Sequence, residues 1–196
     1  SNLQALIDAC AAGALDTEIA LVVSHTPGVG ALQRATRAGI ATAMIPLVNR
    51  RDLVARQEHE AALLQIVRAA DPDLVVLAGW MLVLSSDFLQ RCSFPLVNVH
   101  PALLPMEGSR LDVPVLRGAH AVRDALSLGL PYTGVSVHEV TDEVDAGPVI
   151  AREMVPILPG DNEPTLYRRI KAVEHRLLTE AIGAVLSRTL YGGVHA

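Results

Sequence analysis

Three short apolar runs constrain the fold of this chain more than any other feature. They span residues 18–24, 73–78 and 94–99, and each is typical of a strand that is covered on both faces. Segments with helical periodicity lie between them. This alternation predicts an α/β fold with a doubly wound, mostly parallel sheet. Residues 149–157 add an antiparallel C-terminal strand, and residues 163–186 a long final helix.

The bulk properties favour one folded domain over residues 1–196. The chain is 51% hydrophobic and 19% charged, with a net charge of −5 and no basic run, which argues against nucleic-acid binding. No apolar run is long enough to span a membrane and no leader is visible, so we expect a cytoplasmic protein. Cys10 and Cys92 are too few for a disulfide framework or a zinc site.

The start of the chain carries a second expectation. Ser1 and Asn2 stand directly before an amphipathic helix, whereas an α/β chain usually opens with a strand. We therefore expect an upstream strand that this sequence does not contain. Either residue can cap the helix, and free N–H groups at a helix N-terminus can also bind a phosphate.

The polar residues at the end of the 94–99 strand are the strongest candidates for chemistry. Asn98 and His100 are two apart, so they point to the same side, and Pro101 then stops the strand. Ligands of open α/β sheets bind at the carboxyl ends of the strands. An acid such as Asp145 near His100 would select its tautomer and raise its pKa. Asn98 and His100 could then donate to a developing oxyanion, which suits acyl-type transfer.

Other interpretations of these residues stay open at the level of sequence. A lone His at a strand end is often structural, and His138 on the next strand is interpreted as a packed or supporting residue. His100, His138 and Asp145 could also bind a metal ion, although no metal site is expected. No Gly-x-Ser-x-Gly elbow is present and neither cysteine lies in an activating motif, so no protein nucleophile is indicated.

Several segments together resemble the glycinamide ribonucleotide formyltransferases, the folate-dependent enzymes of purine synthesis. The resemblance runs nearly from end to end, and the combination of segments is far more specific than any one of them. The segments are Ser1–Ala5, Asp73–Ser85, Asn98–Pro105, Gly134–His138, Thr141–Ile150 and Glu174-His175. It implies a Rossmann-like formyltransferase fold, whose first strand and phosphate-loop glycine are not in this sequence.

The resemblance also implies a reaction and a set of roles. The amine of glycinamide ribonucleotide would attack the formyl carbon of 10-formyltetrahydrofolate directly. His100 would act as general acid and oxyanion stabiliser, Asn98 would polarise the formyl oxygen, and Asp145 would keep His100 charged. The implied folate-binding residues are Arg56, Met81, Leu82, Val83, Leu84, Asn98, Thr141, Asp142, Glu143, Val144 and Asp145. Those implied for the ribonucleotide are Ser1, Asn2, Lys171, Ala172, Val173 and Glu174.

Departures from the family pattern affect the substrate more than the reaction type. Leu82 stands where a basic residue is common, and residues 106–117 form a longer loop than usual. The nearest alternative is a formyltetrahydrofolate hydrolase, but that family typically carries a second His where Pro101 stands here. A folate- or nucleotide-binding protein without catalysis is the other. We expect only small-molecule partners, and a monomer or homodimer.

Overall fold

The computed structural model describes residues 2–192, in which helices and strands alternate. The helices are α1 (Asn2–Ala11), α2 (Gly30–Arg37), α3 (Leu53–Ala69), α4 (Ser86–Arg91), α5 (Ala121–Ser127) and α6 (Glu163–Gly192). The strands are β1 (Leu21–Ser24), β2 (Ala41–Met44), β3 (Val75–Leu77), β4 (Leu96–His100), β5 (Tyr132–Glu139) and β6 (Val149–Pro156). None of the helices in this range is both long and apolar enough to cross a membrane.

The chain divides into two compact units. The first holds residues 3–73 and 84–94, and the second holds residue 2, residues 74–83 and the chain from residue 95 onwards. The sequence predicts a single domain over residues 1–196, and that remains a prediction. Each unit has its own sheet, and we describe each by itself.

The first unit contains a two-stranded parallel sheet, β1–β2, against which α2 packs. Its longest helix, α3, buries Leu63, Leu64 and Val67, which recur at helical spacing. Asp52 caps α3 by accepting from the backbone N–H groups of two first-turn residues, and Ser85 caps α4 by accepting from the Phe88 N–H.

The second unit contains a four-stranded sheet in the order β3-β4-β5-β6, covered by α6. The buried face of α6 repeats every three to four residues, because only that spacing keeps side chains on one side of a helix. The residues of this face are Leu166, Ile170, Leu177, Leu178, Ala181 and Ile182. Truncating a fully buried leucine of this kind to alanine costs about 2–5 kcal/mol.

The pairing in this sheet places the polar residues of β4 and β5. β3 and β4 are parallel, and Leu77 pairs with Asn98. β5 is antiparallel to β4, and it pairs His138 with Asn98 and Ser136 with His100. A bulge lies beside His138, where Ile150 of β6 is left without a partner in the register. Bulges of this kind re-aim side chains and are frequent next to active sites.

The α/β class, the antiparallel last strand and the long final helix are confirmed. The direction of β5 differs from the prediction, because the sequence predicts a mostly parallel sheet and β5 runs antiparallel to β4. The apolar pattern of a strand is the same in both directions, so the pattern alone does not determine it. β1 and β3 are half-buried instead of buried, because each lies at the edge of its sheet.

Candidate active site

The candidate site begins with two side chains that β4 carries to its own end. Asn98 is half-buried and the His100 side chain is 4% exposed. The flanking Val97 and Val99 are buried in the hydrophobic interior and anchor the strand. Because side chains alternate along a strand, the two polar residues share one side of the sheet. The rigid strand therefore presents an amide and an imidazole in a defined spacing.

His138 reaches the same place from the neighbouring strand. It is the cross-strand partner of Asn98, and its Nε2 lies 3.1 Å from the Asn98 Nδ2. Its Nδ1 lies 2.8 Å from the carbonyl oxygen of Glu139. A carbonyl oxygen only accepts, so Nδ1 carries the proton, and the neutral ring accepts from the Asn98 amide at Nε2. His138 thereby fixes the orientation of Asn98, which supports its interpretation as a supporting residue.

Asp145 lies between the two histidines. One carboxylate oxygen is 3.3 Å from the His100 Nδ1, and the other is 3.4 Å from the His138 Nε2. The structure therefore brings Asn98, His100 and Asp145 together, as the sequence predicts, and adds His138. We refer to Asn98, His100, His138 and Asp145 as the histidine–aspartate cluster.

The loop that carries Asp145 is folded tightly. Asp145 has a left-handed backbone with φ of 51°, which costs a non-glycine residue energy and persists only where its surroundings hold it. Two residues later, a Cβ on Gly147 would lie 2.0 Å from the carbonyl oxygen of Glu139, so only glycine fits there. The spacing of Asp145 and Gly147 in the sequence thus reflects one strained turn.

The hydrogen bonds of His100 determine its neutral tautomer. Its Nε2 lies 2.7 Å from the carbonyl oxygen of Leu116, which can only accept, so Nε2 carries the proton. Nδ1 faces the carboxylate of Asp145, an arrangement that favours a proton on this nitrogen as well. A proton that His100 gains enters at Nδ1, where the carboxylate stabilises the resulting positive charge.

Asp145 raises the pKa of His100, as the sequence predicts, although burial has the larger effect. Burial lowers the pKa of His100, Asp145 and the Leu116 carbonyl raise it, and His138 lowers it, and the net direction is below the ordinary 6.5. Burial raises the pKa of Asp145, but its contacts with His138, the Gly118 N–H and His100 outweigh this and hold it below its usual range.

Three residues that the sequence analysis missed also touch the cluster. Besides the Leu116 carbonyl on His100, the Arg117 Nε donates to the carbonyl oxygen of Asp145 at 3.2 Å. The Gly118 N–H donates to the Asp145 carboxylate at 2.7 Å. These contacts are long-range and two of the three use backbone atoms, so no residue pattern signals them.

The residues predicted for the folate lie in both units. In the second unit, residues 78–83 follow the end of β3, at the edge where β4 ends. Met81 is 57% and Val83 54% exposed, which leaves apolar surface available to an aromatic ligand, while Leu82 is half-buried. Thr141, Asp142, Glu143 and Val144 form an exposed turn in which the Thr141 hydroxyl donates to the Glu143 carbonyl oxygen.

Two predicted folate residues belong to the first unit. Arg56 is half-buried in α3, and the Leu84 side chain is buried. Leu84 can therefore offer a ligand little beyond its backbone.

The residues predicted for the ribonucleotide centre on a buried pair. Asn2, the first residue of α1, donates a side-chain hydrogen bond to Glu174 of α6. Burial raises the pKa of Glu174, and this hydrogen bond lowers it only in part. The Asn2 Oδ1 is buried without a hydrogen-bond partner among the described residues. Ser1 lies outside the described residues.

The remaining predicted residues of α6 flank this pair. The Lys171 ammonium lies over the Tyr167 ring, 5.0 Å from its centre. Ala172 is exposed and Val173 half-buried. Among the described residues, no salt bridge joins Lys171 to Glu174.

A metal site was the other interpretation of the histidines. Within residues 2–192, His, Cys, Asp and Glu side chains form no group of three that could hold a metal ion. The outer ring nitrogens of His100 and His138 are both engaged with carbonyl oxygens.

Comparison with known proteins places this arrangement among relatives. A family model described as formyl transferase matches residues 1–182. The chain is 38% identical over 177 residues to the phosphoribosylglycinamide formyltransferase of Escherichia coli K12, covering 90% of this chain and 78% of that protein. It is 40% identical over 191 residues, or 96% of this chain, to the trifunctional purine biosynthetic protein adenosine-3 of Drosophila melanogaster, of whose length it spans 13%.

A solved structure gives the same result for the fold. The crystal structure of phosphoribosylglycinamide formyltransferase from Bacillus halodurans superposes with a TM-score of 0.84 at 32% identity, covering 95% of this chain and 90% of that one.

Proposed function

Since this chain belongs to the formyl transferase family, we propose that it transfers a formyl group from a reduced folate to an amine. The donor we propose is 10-formyltetrahydrofolate and the acceptor glycinamide ribonucleotide, in purine biosynthesis. The names of the similar enzymes support this substrate pair. The observation that carries the proposal is the histidine–aspartate cluster at the end of β4, because its groups match what formyl transfer requires.

The reaction exchanges one carbon–nitrogen bond for another. The acceptor amine forms a bond to the formyl carbon, and the bond from that carbon to the folate nitrogen breaks. The amine loses a proton and the departing folate nitrogen gains one, so atoms and charge balance. The protein must therefore stabilise negative charge on the formyl oxygen and assist a proton transfer, and it needs no nucleophile of its own.

His100 supplies the hydrogen bond and the proton path in this proposal. Its Nε2–H, which donates to Leu116 in the structure, would donate to the formyl oxygen instead. A neutral imidazole with a proton on Nε2 can do so without first being charged. Its Nδ1 can accept a proton beside Asp145, so the ring serves as an acid at one nitrogen and is stabilised at the other.

Asn98 and Asp145 complete the charge arrangement. One Nδ2 hydrogen of Asn98 is held by His138, which leaves the second hydrogen for the formyl oxygen. Removing one such donor typically costs about 10²–10³ in rate. Asp145 would stabilise the imidazolium form of His100 when it appears and relay protons through water.

The two substrates would bind on either side of this cluster. We propose that the pterin contacts Met81–Leu84 and the Thr141–Asp145 turn, where exposed apolar side chains suit an aromatic ring. We propose Arg56 for the folate tail. For the ribonucleotide we propose Ser1, Asn2 and Lys171–Glu174, because a buried carboxylate and an unpaired amide oxygen suit hydroxyl and N–H groups.

The surroundings of the enzyme follow from the same assignment. We propose a cytoplasmic location, since its substrates are soluble metabolites of nucleotide synthesis. A monomeric or homodimeric state and the absence of macromolecular partners remain predictions.

An assay with and without the amine tests the proposed function. The protein is incubated with 10-formyltetrahydrofolate, and deformylation is followed with and without glycinamide ribonucleotide. We expect turnover only when the amine is present. Turnover without the amine would indicate a hydrolase, and binding without turnover in both cases would indicate a folate-binding protein.

A further inference from the structure

Three consecutive residues of the loop before α5 contact the histidine–aspartate cluster, at His100 or at Asp145. Leu116 accepts from His100, Arg117 donates to the backbone of Asp145, and Gly118 donates to the carboxylate of Asp145. Leu116 and Arg117 end the loop of residues 106–117, and Gly118 follows it directly. Of the three, only Arg117 acts through its side chain, so only its contact can be removed by a simple substitution.

The hydrogen bonds from Arg117 and Gly118 are made to a residue whose backbone is strained. Its left-handed backbone is unfavourable for a non-glycine residue by about 1–3 kcal/mol and must be held from outside. The Gly118 N–H restrains the carboxylate, and the Arg117 Nε restrains the main-chain carbonyl of the same residue. The two hydrogen bonds restrain Asp145 at its carboxylate and at its main-chain carbonyl, and so fix the orientation of the carboxylate.

We propose that Arg117 is a positioning residue, which holds Asp145 at the distance and orientation from His100 that formyl transfer requires. The proposal rests on the proposed function for its kinetic part. Arg117 touches no reacting atom in this account and acts only through Asp145. Its second contact, from NH1 to the Glu143 carboxylate at 3.5 Å, helps to orient the guanidinium.

The competing explanation is an ordinary surface ion pair. The side chains of Arg117 and Glu143 are 43% and 72% exposed, and such pairs contribute about 0–1 kcal/mol to stability. An ion pair of this kind has no influence on the chemistry of a buried histidine. The two explanations therefore differ in what they predict for catalysis and for the titration of His100.

Kinetics of two variants give the first test. We expect Arg117→Ala to lower kcat by about 10-fold or more, because small displacements of catalytic groups are costly, while KM for both substrates changes by less than about 3-fold. Arg117→Lys keeps the charge but offers one compact donor on a flexible stem, so we expect an intermediate kcat. Arg176→Ala is the matched control, since Arg176 is 53% exposed and pairs with Glu153 and Glu180 on the surface.

The titration of His100 gives a second test that needs no activity. The His100 imidazole is followed by NMR in wild type and Arg117→Ala, with His100→Asn used to assign its signal. Asp145 and His138 are the titrating groups that influence His100, and Asp145 raises its pKa. If Arg117 holds Asp145 in place, the substitution lowers the pKa of His100. Loss of a nearby positive charge alone would raise it, so the two causes have opposite signs.

The outcomes are distinct. A lower His100 pKa with a lower kcat in Arg117→Ala supports the proposal, and so does partial recovery in Arg117→Lys. A His100 pKa that rises or stays unchanged overturns it, as does a kcat equal to that of Arg176→Ala. If Arg117→Ala does not fold, the same criteria apply to Arg117→Lys. If wild type shows no formyl transfer, the proposed function fails, and the NMR titration still decides the role of Arg117.

Discussion

Two buried polar sites lie in the second unit, and they differ in how completely their hydrogen bonds are made. In the histidine–aspartate cluster, every ring nitrogen of His100 and His138 has a partner within 3.4 Å. In the Asn2–Glu174 pair, the Asn2 Oδ1 is buried with no hydrogen-bond partner in the part of the chain that the structure describes. The Nε2 of His175, next to Glu174, is in the same condition.

We propose that this difference separates a site that is organised in advance from one that a ligand completes. An unsatisfied buried polar atom costs about 1–3 kcal/mol, so a protein retains it where binding provides the missing partner. A catalytic group, in contrast, must already be oriented when the reaction begins. We infer that disturbing the cluster lowers kcat, whereas disturbing the pair raises KM for the ribonucleotide.

The largest effect is expected at His100. His100→Ala removes both the donor to the formyl oxygen and the proton path, so kcat should fall by at least about 10²-fold. Steady-state formyl transfer measures this, and thermal melting checks that the protein is folded. His120→Ala is the matched control, because His120 is exposed and makes no side-chain cap on α5. Turnover of His100→Ala close to that of the control would remove His100 from the mechanism.

Asp145→Asn should have the next largest effect. Asparagine tolerates the left-handed backbone, so the turn is kept while the charge is lost. Without the carboxylate, the imidazolium form of His100 is less stable, and we expect kcat to fall about 10- to 100-fold and the pKa of His100 to decrease further. Kinetics and an NMR titration of His100 measure the two effects. An unchanged pKa of His100 would mean that the 3.3 Å contact has no electrostatic consequence.

Glu174→Gln tests the other half of the comparison. The substitution keeps the shape and removes a charge that is costly to bury, so we expect KM for glycinamide ribonucleotide to rise about 10-fold with little loss of kcat. KM for the folate should not change, and thermal stability should not decrease. Glu180→Gln on the exposed side of α6 is the control. A fall in kcat with unchanged KM would assign Glu174 a role in the chemical step and contradict the distinction between the two sites.

The pH dependence of stability should give the smallest effect, with opposite signs at the two sites. The pKa of His100 is below 6.5, so the unfolded chain takes up this proton first, and stability falls as pH falls below about 6.5. The pKa of Glu174 is raised above 4.5, so the folded chain takes up that proton first, and stability rises as pH falls through its folded pKa. Each proton contributes at most about 1.4 kcal/mol per pH unit.

Urea unfolding between pH 7.5 and 4.5 measures these slopes. We expect His100→Asn to flatten the loss of stability below pH 6.5, and Glu174→Gln to steepen it where wild-type Glu174 takes up its proton, above pH 4.5. Identical slopes in wild type and both variants would show that neither group is linked to folding.

Much of the fold and of the site could be predicted from residue patterns. Local patterns mark helix ends: Ser85 caps α4, and Asp71-Pro72 follows the end of α3. The alternation of side chains on β4 places Asn98 and His100 together. His138 was recognised only as a supporting residue, because its contact with Asn98 depends on the register between β4 and β5. Leu116 and Gly118 escaped prediction because their contributions are backbone atoms, which any residue carries.

The sequence by itself determined which chemical groups are available and how they are spaced along each strand, since alternation and capping are local properties. The tertiary structure decided which of them meet and what charge they carry. Asp145 lies near His100 only because of a strained turn and the hydrogen bonds from Arg117 and Gly118. The carboxylate of Asp145 raises the pKa of His100, but burial, which depends on the whole fold, lowers it by more.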